Sequence, residues 1–300
     1  MANTIPSDLQ VNLLMRSALR AFSARVLPIA NLSTVFRSVP LSGTDIVSVP
    51  YYPLVTAAST DFSSSYSFGN TTTEARNVTV NKRKYQSMSV TSSEWNRQPA
   101  INWEQLGTIK GEKLAQDVVA DILSVVTAAN YGAAAFTGAA STFDSDDVGD
   151  IRKACNLANW PKDGRTLLVD TAYDSYLYRD SAVKNAQAYG ENGVIKEGAL
   201  SKILGFDYFE SALIPANGEN LVGMALYRSA ILIAFSPITP EPSVEQQLSR
   251  YMVSTDPLTG LTLEYREWGN PDSDACRRVL ECNYGYAKGE AAAIKRMVSA

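Results

Sequence analysis

The feature that most limits the fold is a helical period of spine length. From Trp103 to Asn130, WEQLGTIKGEKLAQDVVADILSVVTAAN, it sets Leu106, Ile109, Leu114, Val118, Ile122 and Val126 near one face. At 1.5 Å per residue this predicts a helix about 40 Å long, unusually long for a globular enzyme domain. Gly107 and Gly111, four residues apart, weaken an isolated helix but let another backbone come close.

Upstream lie segments with little core of their own. In LLMRSALRAFSARVLPI, residues Leu14, Ala18, Leu19, Phe22 and Val26 recur at three- and four-residue spacing, while Arg16 and Arg20 share another face. This reads as a short amphipathic helix ending before Pro28. Its arginine-rich, acid-poor composition resembles a transit peptide, but Pro6, Asp8 and Gln10 make a poor presequence. The segment is therefore read as an arm that packs on another surface, and loss of residues 1–27 is expected to leave a folded subunit that assembles poorly. DIVSVPYYPL then reads as a strand, followed by a polar run from Thr56 to Ala75 and a long half-exposed strand, RNVTVNKRKYQSMSV. Two extended segments around a polar tip suggest a long hairpin, and a free two-stranded ribbon is marginal in water.

Downstream of the helical period, the composition turns mixed. Asp146 or Asp147 can cap a helix running to about Asn159; RTLLVD follows as a strand and TAYDSYLYRDS as a capped helix. The stretch GALSKILGFDYFESALIP carries no metal ligand and no evident nucleophile. Past Pro237, Pro240 and Pro242 the chain reads mainly as strands, LTLEYREWG and CRRVLECNYGYAKGE. At 300 residues this is one large domain or two intertwined ones.

Composition excludes much chemistry. With no histidine, Ser–His–Asp triads, Cys–His pairs and His-ligated zinc cannot form. Cys155, Cys276 and Cys282 lack CxxC spacing and read as ordinary reduced thiols. A net charge of −4 argues against a wholesale nucleic-acid binder. No apolar run approaches the roughly 18–20 residues that span a bilayer. DSDDVGDIRKAC places Asp144, Asp146 and Gly149 at positions 1, 3 and 6 of a calcium loop, but Val148 and Cys155 fall where ligands are needed. A helix cap explains those acids, and no metal or cofactor is expected. GENGVIKEG matches no phosphate-binding fingerprint. Lys82, Arg83 and Lys84 beside Tyr85 form the sharpest basic cluster, with Lys82 and Lys84 on one strand face and Arg83 on the other. It reads either as a charged, solvated edge strand or as a surface meeting acids of a neighbouring subunit.

Taken in order, the amphipathic arm, VSVPYYPL, the polar hairpin, NVTVNKRKYQSMSV, the SSEW junction, the spine-length helix and the phrase KILGFDYFESALIP resemble the major capsid proteins of tailed bacteriophages. The resemblance covers the chain from about Val11 onward; its motifs are loose and their order carries it. It implies an α+β, HK97-type fold with an N-terminal arm (1–40), an extended loop (41–98), a peripheral domain with the spine helix (99–140), an axial domain (141–239) and peripheral strands (240–300). It further implies a structural, non-catalytic subunit that assembles with itself into hexamers and pentamers in a virion, put together in the host cytoplasm. Its expected partners are a separate scaffolding protein, portal and decoration proteins, and packaged double-stranded DNA held without sequence-specific contacts; no membrane is involved. Candidates for inter-subunit contact are Arg16, Arg20, Phe22, Arg25, Lys82, Arg83, Lys84 and Tyr85. Cross-linking between Lys82 or Lys84 and Asn270 or Asn283 of a neighbour is a minor option. The rival readings are an encapsulin-like compartment shell and an enzyme using the acids of Asp144–Asp150 or an activated thiol.

Overall fold

The computed structural model describes residues 7–32, 34–37, 45–51, 62, 64, 66, 74–97, 102–181, 183, 202–256 and 260–300. The polar run Thr56–Ala75 lies largely, and the glycine-rich stretch 190–198 wholly, outside them. Three helices come first: α1 (Ser7–Leu32), α2 (Ser92–Arg97) and α3 (Trp103–Leu123). Helices α1 and α3 pack along one another, burying Val11, Leu14, Met15, Ala18, Phe22, Val26 and Ile29 in one cluster with Leu114, Ala115, Val118 and Ile122. The two glycines are what permits it. A Cβ on Gly107 would lie 2.4 Å from the Leu14 carbonyl oxygen, and one on Gly111 would lie 2.3 Å from that of Ala18.

Several helical expectations change. Helix α1 continues through Pro28 to Leu32. A helix-interior proline removes a backbone hydrogen bond and costs about 3 kcal/mol, which burial of Val26 and Ile29 on the core helps to offset. Ile109 is exposed; Gly107 and Gly111 hold the buried stripe beside it instead. Helix α3 starts where Asn102 Oδ1 accepts the Gln105 amide at 3.0 Å, and it stops at Leu123, short of Asn130. Asn217 Nδ2 donates to the carbonyls of Leu123 (3.0 Å) and Val126 (2.8 Å), and Ser124 Oγ donates to that of Asp121, so side chains serve the acceptors that a further turn would have used. A short helix α4 (Ala128–Tyr131) follows.

The helix pair covers one face of a sheet ordered β1 (Thr34–Arg37), β10 (Ile231–Phe235), β13 (Ala275–Lys288), β12 (Thr262–Asn270), β11 (Arg250–Thr255). Strand β4 (Lys82–Thr91) pairs antiparallel with β13, Ala275 facing Thr91 and Tyr284 facing Lys82. Leu280, Cys282 and Tyr284 of β13 point into the core beneath the helices. On the other face sits a hairpin of β2 (Ile46–Tyr51) and β3 (Glu74–Thr79). The segment expected as one strand from Arg76 is thus two: it breaks at Val80–Asn81, leaving β3 to pair with β2 and β4 to pair with β13. Val47, Val49, Val78 and Val80 pack on Leu232 and Ala234. A Cβ at Gly285 would lie 2.1 Å from the Thr79 carbonyl oxygen, so only glycine lets the hairpin base settle there.

A second sheet runs β5 (Phe136–Thr137), β14 (Ile294–Val298), β9 (Leu221–Leu226), β6 (Thr166–Val169), β8 (Phe206–Glu210), β7 (Lys202–Ile203). Helices α5 (Ser145–Leu157) and α6 (Thr171–Leu177) bury Val148, Ile151, Cys155, Tyr173 and Leu177 against it. The cap of α5 is Asp144, in a reciprocal capping box with Asp147, two to three residues earlier than the acids expected to serve. Strands β7 and β8 meet at Leu204 and Gly205, both at positive φ, so part of the GALSKILGFDYFESALIP stretch is a tight hairpin. β10, before residue 240, stands in the first sheet, and β14, after it, stands in the second. Leu168, Met224 and Leu226 join the first sheet's core cluster, so the two sheets share one interior.

The arm is therefore a core element. Its buried Leu14, Met15, Phe22 and Val26 are each worth about 1.5–3 kcal/mol, against a whole-domain stability of about 5–15 kcal/mol. Loss of residues 1–27 should unfold the subunit, correcting the expectation of a folded but assembly-poor chain. The two helix glycines provide a cleaner test. Gly111→Ala should destabilise by about 1–3 kcal/mol through overpacking. Gly149→Ala in α5, where a Cβ meets nothing within 4 Å, should stabilise by about 0.4–1 kcal/mol. Urea denaturation of the two variants would show shifts of opposite sign.

Candidate functional site

Strand β4 alternates its charges as its spacing dictates, but both faces find acids of the same chain. Lys82 shares a face with Tyr284 and reaches α3, where Nζ donates to Asp121 Oδ1 at 3.1 Å and to the Tyr286 hydroxyl at 2.9 Å. Tyr284 donates to Asp121 Oδ2 at 2.7 Å. Burial pushes the Asp121 carboxyl up, but the Tyr284 hydroxyl and the Lys82 ammonium outweigh it and hold the carboxyl below its ordinary value of 3.8. Partial burial pulls Lys82 down, and its bonds to Tyr286 and Asp121 overcome this and raise it.

Arg83 points to the opposite face, where Nε donates to Glu281 Oε2 at 2.9 Å. Glu281 is buried and also meets Arg266 Nε at 2.6 Å. Arg266 lies against Glu264, which accepts the Ile238 amide at 3.0 Å, the Tyr251 hydroxyl at 3.0 Å and the Asn283 amide. A line of alternating charges thus ties β4, β13, β12 and β11 together. For Lys82 and Arg83, the acids expected on a neighbour are those of this subunit. Asn283 is buried in the same network and Lys82 is held by Asp121, so this pair cannot offer a free amide and amine.

The other candidates divide by exposure. Phe22 is fully buried between α1 and the core, which corrects its reading as a contact residue. Arg16, Arg20 and Arg25 are exposed on α1, and Lys84 and Tyr85 are exposed on β4. The features that enzymatic readings would need are used otherwise. Asp144 and Asp147 cap α5, and no group of three or more metal-ligating side chains occurs among the described residues. Burial pushes the thiol of Cys155 up to about 12 and that of Cys276 up to about 11, the latter helped by a hydrogen bond to Glu267, and it raises Cys282 as well. These thiols are the reverse of activated. No helix among the described residues is long and apolar enough to cross a membrane.

One concave feature escaped the sequence reading. Beneath α2, a cleft of about 550 Å³ is lined by Trp95, Trp103, Arg250, Glu267, Cys276 and Arg278, among others. The Arg278 guanidinium lies 4.8 Å from the Trp103 ring centre and donates to Glu267 at 3.1 Å. Burial pushes the Glu267 carboxyl up, but the Tyr265 hydroxyl, the Cys276 thiol and Arg278 outweigh this and hold it below its usual range. The SSEW junction supplies Trp95 and the arginine-bearing last long strand supplies Cys276 and Arg278, while Trp103, Arg250 and Glu267 come from α3, β11 and β12, and the strand pairing brings them together.

No family model matches the sequence, and no curated protein aligns with it. The fold, by contrast, has many likenesses among solved structures. A chain of the capsid of cyanophage P-SCSP1u matches with a TM-score of 0.61 at 13% identity, over 91% of this chain and 88% of that one. The mature capsid of bacteriophage PhiM1 matches at 0.58 and 10% identity, over 90% and 86%. A virus-like particle from Pyrococcus furiosus matches at 0.52 and 14% identity, over 95% and 97%.

The Asp121 cluster should be visible in acid. A carboxyl depressed on folding contributes stability that is complete above its ordinary 3.8 and is lost as pH falls through the lower folded value. Asp121→Asn should cost about 1.5–3 kcal/mol at pH 7 and make the acid limb below about pH 4 shallower. Denaturant midpoints measured from pH 7 to pH 2 check both.

Proposed function

We infer that this chain, which has the HK97-type α+β capsid fold, is the major capsid protein of a tailed bacteriophage: a structural subunit, without catalysis, that assembles with itself into hexamers and pentamers. The observation that carries this is the extent of the likeness, which spans 90–95% of this chain and 86–97% of each neighbour in the three structures compared. The shell is the virion's container for double-stranded DNA, and assembly in the host cytoplasm with a separate scaffolding protein, a portal and decoration proteins belongs to the same reading. The net charge of −4 suits a wall that repels packaged DNA rather than trapping it.

Within this reading the helix pair and first sheet form the peripheral domain, the second sheet with α5 and α6 the axial domain, and the β2–β3 hairpin the base of the extended loop. Heterologous contacts that close under symmetry need surfaces left over after folding. Arg16, Arg20 and Arg25 on α1 and Lys84 and Tyr85 on β4 are such surfaces, whereas Lys82 and Arg83, though partly exposed, already hold acids of their own subunit.

Size-exclusion chromatography followed by negative-stain electron microscopy tests the proposal. Closed shells, tubes or capsomer-sized rings are the expected result. Co-purifying nucleic acid would favour the phage capsid, and a packaged protein would favour the compartment shell suggested by the virus-like particle. A compact monomer at every concentration, also when mixed with the native virus lysate, would overturn the shell reading.

A further inference from the structure

We propose that the cleft beneath α2 is a binding site for a small aromatic monoanion, an aryl carboxylate being the simplest ligand of that class. The inference goes beyond the shell reading and does not depend on it. At about 550 Å³ the cleft falls within the roughly 300–1,000 Å³ of sites that enclose small molecules. Such sites combine apolar walls with a few placed polar groups, and both are present here. Trp95 and Trp103 stand at the wall with ring centres 6.3 Å apart. Trp103 is buried, whereas Trp95 is 48% exposed. One indole is thus held in place and the other keeps much of its surface uncovered, and such a pair favours a flat ring as its third member.

The charge of the lining sets the sign of the ligand. Its charged members are Arg250, Arg278 and Glu267, which leaves one positive charge in excess. The Cys276 thiol, pushed up to about 11, adds no negative charge at neutral pH. Arg278 gives the direction of approach. It is only 8% exposed, and its Nη2 donates to Glu267 at 3.1 Å. Its Nε and Nη1 have no hydrogen-bond partner among the described residues, and both are shielded from solvent, so bulk water does not serve them either. Buried donors of this kind mark a place where an acceptor belongs. The Trp103 ring, 4.8 Å from the guanidinium carbon, covers a face of the group and leaves its edge for that acceptor. A carboxylate brings acceptor oxygens and the opposite charge together, and an aryl group joined to it meets the indoles.

Phenylacetate is the probe for the test, with the full chain as its target. It should quench tryptophan emission saturably and raise the thermal midpoint. Phenylacetamide, nearly the same shape without the charge, should bind at least about tenfold more weakly. Trp95→Ala should weaken phenylacetate about fivefold or more. Because Trp95 is half exposed, the same variant should keep the midpoint of the chain alone within about 2 °C. A readout confined to the cleft comes from Cys276, which is half-buried there, while Cys155 and Cys282 are buried elsewhere. Phenylacetate at ten times its Kd should slow alkylation of Cys276 by N-ethylmaleimide about tenfold, followed peptide by peptide in a mass spectrometer. Absence of saturable binding up to about 20 mM would overturn the proposal. So would equal affinity for the amide, undiminished binding by Trp95→Ala, or unchanged alkylation of Cys276. Particle formation enters none of these readouts, so their failure leaves the shell reading standing.

Discussion

Everything in the first half of the molecule depends on two backbones meeting without side chains between them. At Gly107 and Gly111, α3 lets the Leu14 and Ala18 carbonyls of α1 approach to distances that any Cβ would forbid. Close approach lets both helices present apolar stripes to one sheet at once, so Phe22 and Leu114 reach the same interior as Tyr284 and Leu263. The cost is the weaker helix propensity of two interior glycines, about 0.5–1 kcal/mol each relative to alanine. Burial of the α1 stripe outweighs it several times over. The N-terminal segment is thus bound into the chain's own core.

Charge is arranged on the same principle. Asp121 stands near the end of α3, within reach of Lys82 and the hydroxyls of Tyr284 and Tyr286, so one carboxylate joins the helix to two strands. On the opposite face Glu281 and Glu264 sit among Arg83, Arg266 and Asn283. Removing one member of such a network leaves another charge buried and unpaired, which costs far more than an exposed pair gains. Strand β4 is held by both of its faces, and this makes the break at Val80–Asn81 sharp: beyond it the chain turns to the hairpin that crosses Gly285.

Local signals in the sequence were legible wherever a single element decides the outcome. The apolar stripe of α1, the meaning of Gly107 and Gly111, the acidic cap before α5 and the alternation of Lys82, Arg83 and Lys84 all follow from spacing alone. What could not be read depends on partners far away in sequence. The end of α3 is set by Asn217, about ninety residues on. The destination of Lys82 and Arg83 requires the register of β4 against β13. Phe22 has the periodicity of a contact residue and of a core residue alike, and only the position of α3 distinguishes them. The Trp95–Trp103–Arg278 cleft was invisible for the same reason, since its walls come from α1, α2, α3 and four strands.

On the shell reading proposed above, a subunit has to satisfy two demands that pull apart. It must fold alone and persist, yet its contacts with copies must be weak enough for misplaced subunits to leave. This chain meets the first by burying its strongest electrostatic and apolar interactions internally, including those of the arm and the basic strand. Among the described residues, what remains outside includes single arginines on α1 and Lys84 and Tyr85 on β4. An interface of standard size yields widely different affinities because ordering and desolvation consume most of the gain. Adding Lys82 and Arg83 to such an interface would require taking them from Asp121 and Glu281, at a loss inside the subunit. The internal commitment of those charges therefore keeps the external contacts modest, and modest contacts repeated by symmetry are what allow a closed shell to correct its errors.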